Sequence, residues 1–345
     1  MKVSALLISF NQERTIAQAI KGVLDQQTKF EFELVIGDDC STDSTPEIIR
    51  SYAKEFPNRI RVLPREQNMG DKGARNFADA YLNCKGKYVA LLEGDDYWTC
   101  PEKLQRQVEA LDQHPDWAIC FHNVRRLYVD TENPATEFPG AEHPEVSTIE
   151  DLLKDNFIQT CSIVVRNEII KEFPDWYFLP GPGDWFFSLL NAQRGHIGYL
   201  PEVMATYRVH ANGIWTGRDR DLASKEQAAK FRVLAANLWW KPHRKSALTT
   251  ASKLTLDRAL ISSERGHRFD TFKHAMRSVF EHPVHPSVFS RERCAILCRA
   301  LAPKLFEWLK EKIESRRSQP SNSVELATHT QPCSSESPAE EIEKV

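Results

Sequence analysis

Leu91-Leu92-Glu93-Gly94-Asp95-Asp96-Tyr97-Trp98 sets three acids directly behind an apolar run. Lys87 to Leu92 has the composition of a buried strand, and Gly94 marks a turn immediately after it. In open α/β sheets ligands gather at the carboxyl ends of strands, so Glu93, Asp95 and Asp96 stand where a substrate would lie. Carboxylates on a tight turn suit a hard divalent cation, Mg²⁺ or Mn²⁺, which keeps some waters and takes phosphate oxygens for the rest. Taken alone, the octapeptide reads equally well as a strand ending in an Asp-rich turn, so its meaning depends on what flanks it.

Outward toward the N-terminus, strands and helices alternate. Val3 to Ile8 reads as a buried strand ending in Ser9-Phe10-Asn11, and Glu13 to Gln27 carries a helical stripe at Ile16, Ala19, Ile20, Val23 and Leu24. Phe32 to Ile36 is a second strand running into Gly37-Asp38-Asp39-Cys40-Ser41-Thr42-Asp43, after which Ser44 or Thr45, Pro46 and Glu47 begin a helix. Ile60 to Leu63 is a third strand, Asn68-Met69-Gly70 a turn, and Lys72 to Asn83 a helix with Ala74, Phe77, Ala78 and Tyr81 inward. Beyond the octapeptide, Pro101 opens a helix to about His114, and Trp117 to Phe121 is a fifth strand. This rhythm predicts an α/β fold, with a parallel sheet covered on both faces and a ligand site along its strand ends. Asp38 and Asp39 then meet Asp95 and Asp96 on one edge, four carboxylates that repel unless they share a cation or accept from hydroxyls.

After residue 122 the rhythm changes. Residues 130 to 146 read as a surface loop, Ser147 to Glu150 as a capping box, and Cys161 to Val165 as a strand. Gly181-Pro182-Gly183-Asp184 precedes Trp185, Phe186, Phe187, Leu189 and Leu190, a helix with an aromatic core face and an acid in its first turn. Tyr207-Arg208-Val209-His210 closes a last strand-like piece. Three units are expected: residues 1–218, a helical region over 219–316, and a disordered tail rich in Ser, Pro, Glu and Gln over 317–345. Residues 294 to 313 have an apolar face with basic flanks ending at Arg316-Arg317, which suits packing against the rest of the chain, a second subunit, or a peripheral membrane contact through 294–317.

Composition narrows the function. The 345 residues are 41% hydrophobic, enough for a substantial core, and the net charge of −3 gives nucleic acid nothing to bind. Eight cysteines without metal-type or paired spacing read as reduced thiols. Residues 1–10 hold no small-residue cleavage site, and no run approaches 18 apolar residues, so the expected location is cytoplasmic, with the inner face of the plasma membrane as a peripheral site. Neither Gly-x-Gly-x-x-Gly after the first strand nor Gly-x-x-x-x-Gly-Lys-Ser/Thr occurs, which disfavours dinucleotide oxidoreductases and P-loop NTPases.

Four blocks in order and spacing, Val3 to Asn11, Ile36 to Asp43, Asn68 to Gly70 with Ala74-Arg75-Asn76, and Leu92 to Trp98, resemble the family 2 glycosyltransferases over roughly residues 1 to 215. The resemblance implies a GT-A fold, a Rossmann-like mixed sheet, here followed by the helical region. It implies a nucleoside diphosphate sugar donor, UDP first among nucleotides, a carbohydrate or lipid-linked acceptor, and a role in cell-surface polysaccharide or glycan synthesis. Carried over by residue, Ser9, Phe10, Glu13, Asp38, Asp39 and Arg75 line the nucleotide pocket and Asp95 reaches the ribose or sugar. Asp96 binds Mn²⁺ or Mg²⁺, with Glu93 and His210 as further candidates. Asp184 resembles the general base of inverting members, and its place at a helix start is expected to keep it ionised. Glu93 and Cys40 depart from the commoner Asp and Gly. Two other readings stay open: a nucleotide-sugar pyrophosphorylase, which would want a Gly-rich basic loop where Ser9 to Glu13 stands, and a non-catalytic nucleotide-sugar-binding module of the same fold.

Overall fold

A computed structural model of the chain describes residues 1–211, 213, 217–237, 242–281 and 296. In chain order the elements are β1 (Val3–Ser9), α1 (Ile16–Leu24), β2 (Phe32–Asp38), α2 (Thr45–Glu55), β3 (Ile60–Leu63), α3 (Ala74–Leu82), β4 (Tyr88–Glu93), β5 (Tyr97–Trp98), α4 (Lys103–Gln113) and β6 (Trp117–Tyr128). There follow β7 (Thr136–Phe138), β8 (Val146–Ser147), α5 (Ile149–Lys154), β9 (Val164–Arg166), α6 (Gly183–Ala192), β10 (His196–Val209), α7 (Arg220–Ala236), α8 (Arg244–Glu264) and α9 (Arg268–Glu281).

The sheet runs β3-β2-β1-β4-β9-β6-β10-β5. Its first four strands are parallel, as the alternating rhythm predicts. Side chains of β1 and β4 alternate between two buried layers: Leu6, Val89 and Leu91 face one, Ala5, Leu7, Ala90 and Leu92 the other. Helices α1, α2 and α4 cover the second layer through Ile16, Ile20, Ile49, Leu104 and Val108. The first layer packs on α3, α5, α6 and, from the C-terminal region, α7 and α8. Phe186 and Phe187 are fully buried, so the aromatic run behind Asp184 is core as expected.

The second half corrects the parallel expectation. β9 inserts antiparallel between β4 and β6, and β5 pairs antiparallel with β10. The strand expected from Cys161 begins later, because residues Thr160–Ser162 form a 3-10 turn whose carbonyls at Cys161 and Ser162 accept from Trp98 Nε1 and Gln107 Nε2. The strand expected to stop at Phe121 continues to Tyr128, because β7, inside the presumed loop, pairs with its far half. The capping box shifts by one residue: Ser147 is held in the β8 pairing, so Thr148 caps α5 and both its N–H and hydroxyl donate to Asp151. Around Pro201, which has no N–H to give, the β10 register slips against β6, and the strand resumes at Val203 toward the acidic turn.

No helix among the described residues is long and apolar enough to cross a membrane. Apart from residue 296, the proposed membrane-contacting segment 294–317 and the tail 317–345 lie outside the described residues.

Candidate active site

At the ends of β1 and β2, Ser9 and Asp38 are register partners, and the Ser9 hydroxyl donates to Asp38 Oδ1 at 2.8 Å. Ser41 donates to the same carboxylate through its hydroxyl at 2.6 Å and its N–H at 3.1 Å. Asp39, only 3% exposed, accepts from Met69 N–H at 2.7 Å while Asn68 donates to its carbonyl, joining two of the sequence blocks. Glu13 accepts from Ser44 N–H, and its own N–H donates to Asp43. Phe10, 47% exposed, is the apolar group at this mouth. Cys40, where glycine is commoner, adopts φ +61°, the left-handed backbone that glycine takes without strain. Ser9, Glu13, Asp38 and Asp39 are thus brought together. Arg75, on α3, pairs with Asp71 at 2.5 Å and lies over the Phe178 ring.

The turn after β4 is clasped from both sides. A Cβ at Gly94 would come within 2.3 Å of Gln12 Oε1, 2.9 Å of Ile16 Cδ1 and 3.2 Å of Ser9 Cβ, so the acidic turn packs closely on the end of β1 and a larger residue there would have to displace the Gln12 and Ile16 side chains. From the other side β10 pairs with β5, and Arg208 N–H donates to Asp96 Oδ1 at 2.8 Å while its guanidinium reaches the Asp95 carbonyl and Gln18. Asp96, expected as the metal ligand, is 1% exposed; its Oδ2 is sealed from solvent without a hydrogen-bond partner. Burial and the Asp95 and Glu93 charges push it well above the ordinary carboxylate range. Asp95 is more open. Its Oδ2 lies 3.1 Å from His210 Nε2, with 26% and 23% of the two side chains exposed. That hydrogen bond raises the imidazole above its ordinary range. Glu93 is pushed up to about 8, first by desolvation and then by Asp95 and Asp184, against a hydrogen bond from Thr160.

Asp184 is in the first turn of α6, anchored by Trp185 Nε1 donating to the Leu152 carbonyl. Burial raises its pKa despite the backbone N–H groups of Asp184 and Trp185, Asn156 and the Lys230 charge, all of which oppose the shift. The helix start therefore does not hold Asp184 low as expected; desolvation outweighs it. Its Oδ1 is sealed and unpartnered. Asp184 lines a cavity of about 350 Å³ together with Arg126, Tyr128, Asn156, Tyr207 and Gln227. Burial first, and then the charges of Glu93, Asp96, Asp95 and Asp184, raise the Tyr207 hydroxyl, so that side chain lies near all four acids.

Sequence reading missed three residues here. Tyr207 was visible only as the first residue of its strand-like tetrapeptide. Arg126, inside a strand, carries no motif, and Lys230 on α7, 1% exposed, looks like any basic helical residue until its Nζ is found donating to the Pro182 carbonyl at 3.3 Å. Among the described residues, no three His, Cys, Asp or Glu side chains converge into a ready-made metal cage.

The chain matches the family model Glycosyl transferase family 2 over residues 4–173. It is 43% identical over 216 residues to an uncharacterized protein of Mycobacterium tuberculosis, spanning 62% of this chain and only 60% of that relative's length. An uncharacterized glycosyltransferase of Nostoc sp. is 31% identical over 247 residues, 68% of this chain and 72% of the relative. The poly(ribitol-phosphate) beta-N-acetylglucosaminyltransferase TarS of Staphylococcus aureus is 33% identical over 204 residues, 56% of this chain and 33% of TarS. The crystal structure of TarS 1–349 in complex with UDP-GlcNAc superposes with a TM-score of 0.62 at 17% identity, covering 93% of both chains, a likeness of fold.

Proposed function

The chain belongs to the family 2 glycosyltransferases, and on that premise we propose that it moves a sugar from a nucleoside diphosphate sugar, UDP first, to an acceptor hydroxyl with inversion. The observation that carries this reading is Asp184: a carboxylate with one unpartnered oxygen, in a cavity wall, electrostatically coupled to Glu93 at the strand ends. A general base must reach the acceptor proton and have a pKa near the working pH, and the upward shift of Asp184 moves it that way. The opposing Asn156 and Lys230 interactions keep its ionised form accessible. The donor nucleotide is assigned to the β1 and β2 ends, where Ser9, Glu13, Asp38 and Asp39 are already fixed and Phe10 is free to meet a base.

A divalent cation fits Asp95 and His210, one carboxylate and one imidazole on an open edge, with diphosphate and water oxygens filling the remaining positions. When bound, Mn²⁺ or Mg²⁺ would neutralise charge on the departing diphosphate. We assign it to this pair rather than to Asp96, whose Oδ1 is taken by the Arg208 N–H and which pins β10 to the turn. Glu93 lies between this pair and Asp184; protonated at neutral pH in the ligand-free protein, it can donate a hydrogen bond to a sugar oxygen. Asp184 accepts the acceptor's proton as its oxygen attacks from the face opposite the diphosphate. Alignment of the two substrates across the cleft supplies much of the remaining acceleration.

Calorimetric titration with UDP, GDP and dTDP sugars, with and without Mn²⁺, tests this on the wild type, Asp95→Ala and Asp96→Asn. Metal-dependent binding of one nucleotide, lost in Asp95→Ala and kept in Asp96→Asn, is the expected result. A folded wild-type chain that binds none of them refutes the reading; loss in Asp96→Asn alone returns the cation to Asp96.

A further inference from the structure

The cavity that holds Asp184 also holds a cation with no counterion among the described residues. Arg126 projects from β6, paired in register with Tyr207 of β10 and Thr136 of β7. Its guanidinium sits 3.5 Å from the centre of the Phe138 ring, and its Nε is sealed from solvent with no hydrogen-bond partner. Among the described residues no carboxylate lies within ion-pair distance of it, although Asp184 lines the same cavity from α6. Burial already disfavours its charge. The Nη groups of this half-buried guanidinium have no hydrogen-bond partner among the described residues and are not sealed, so a carboxylate or phosphate entering the cavity can accept two charge-assisted hydrogen bonds from them.

The rest of the wall has the character of a sugar site. Asn156, Gln159 and Gln227 bring side-chain amides, and Tyr128, Tyr207 and Trp185 bring flat ring surfaces. Asp95, His210 and the residues at the ends of β1 and β2 do not line it, while Tyr207 and Val209 of β10 do, so the cavity adjoins the acidic turn from the side opposite the β1 and β2 ends.

We propose that this cavity is the acceptor subsite and that Arg126 selects an acceptor sugar carrying an oxyanion, a carboxylate or a phosphate, beside the hydroxyl that Asp184 deprotonates. The assignment of that hydroxyl rests on the glycosyltransferase reading; the anion subsite itself does not. Arg126 is a specificity residue and takes no part in proton transfer.

The 345-residue chain with saturating UDP and Mn²⁺, so that the diphosphate site is filled, is titrated with methyl glucoside, methyl glucuronide and methyl glucoside 6-phosphate. The expected result is about tenfold or tighter binding of at least one charged sugar over the neutral one, the size of one charge-assisted hydrogen-bond pair. Whichever charged sugar gains identifies carboxylate or phosphate as the preferred group. In Arg126→Gln the preference falls to about one; in Arg126→Lys part of it remains, and UDP-sugar affinity stays within about twofold in both. Equal affinity for charged and neutral sugars in the wild type overturns the proposal without any variant being needed. An Arg126→Gln chain that loses UDP-sugar binding in step with the charged sugars also overturns it, moving the arginine to the donor diphosphate. A wild-type chain that prefers charged sugars yet binds no nucleotide sugar keeps the anion subsite and refutes the glycosyltransferase reading instead.

Discussion

At the ends of β1 and β2, Asp38, Asp39, Asp43 and Glu13 accept from hydroxyls and backbone N–H groups of nearby turns, and Asp43 is held below the ordinary carboxylate range. At the ends of β4, β6 and β10 and the start of α6, Asp96, Asp184 and Arg126 each keep a sealed atom with no partner, and Glu93, Asp96 and Asp184 are all pushed up. Both sets of acids occupy one sheet edge. One set already has its hydrogen-bond partners within the chain and holds a preformed shape at the proposed nucleotide end. The other set is incomplete until something binds or a proton moves, which is the condition a reacting group requires.

The largest test of that contrast is Asp184→Asn. It should lower sugar transfer by about 10²- to 10⁴-fold, the usual contribution of a general base, while calorimetry finds donor affinity within about twofold. An equal loss of donor affinity would make Asp184 part of the completed set and break the distinction.

Next is Glu93→Gln, read through pH. The folded chain keeps the Glu93 proton up to about pH 8, whereas the unfolded chain releases it near 4.5, so folded and unfolded states bind protons alike below about pH 4. Between these values wild-type stability falls as pH rises, at a limiting slope of about 1.4 kcal/mol per unit, lessened by interaction with neighbouring acids and by partial exposure. Glu93→Gln should therefore match the wild type in urea unfolding at pH 4 and exceed it by about 2 kcal/mol at pH 8.5. A gain at both pH values would show that packing, not ionisation, is responsible.

Asp96 separates its two functions by substitution. Asp96→Ala leaves the Arg208 N–H without its acceptor and should cost about 1–2 kcal/mol in urea unfolding, while Asp96→Asn keeps the acceptor and should be neutral or stabilising above pH 7. The smallest effect belongs to the completed set. Ser41→Ala removes one donor to Asp38 and should cost about 1 kcal/mol. The cost should not change between pH 6 and 9, and a pH-dependent cost there would erase the contrast between the two ends.

The same divide separates what the sequence made legible from what it hid. β1 to β4 and their helices follow from alternation of apolar runs, because each strand is buried on both faces and each crossover is local. β9 and β5 do not, because their pairing is antiparallel and long-range, and the 3-10 turn before β9 takes side-chain hydrogen bonds that no periodicity encodes. Asp184 could be singled out because Gly183-Asp184-Trp185 resembles the general-base segment of inverting members of the family. Arg126 could not, since it lies beyond the strand expected to end at Phe121, where an arginine reads as a solvated surface group until the packing of β7 and the cavity is known. Asp95 and Asp96 are adjacent in the chain, and only the approach of β10 distinguishes the sealed one from the open one.

Helix α7 carries a consequence for protein engineering. Phe231 packs between Trp185 and Phe186, Lys230 donates to the Pro182 carbonyl with its Cδ against Gly181, and Gln227 stands in the cavity wall. A chimera joined at residue 218 would keep Asp184, the proposed base, but give it a foreign partner on one side, and is expected to alter acceptor choice and the basicity of Asp184 together. Joined beyond Ala236, the graft would carry the native wall and its lysine intact, so the useful crossover point for exchanging acceptor preference lies one helix later than the strand-helix pattern suggests.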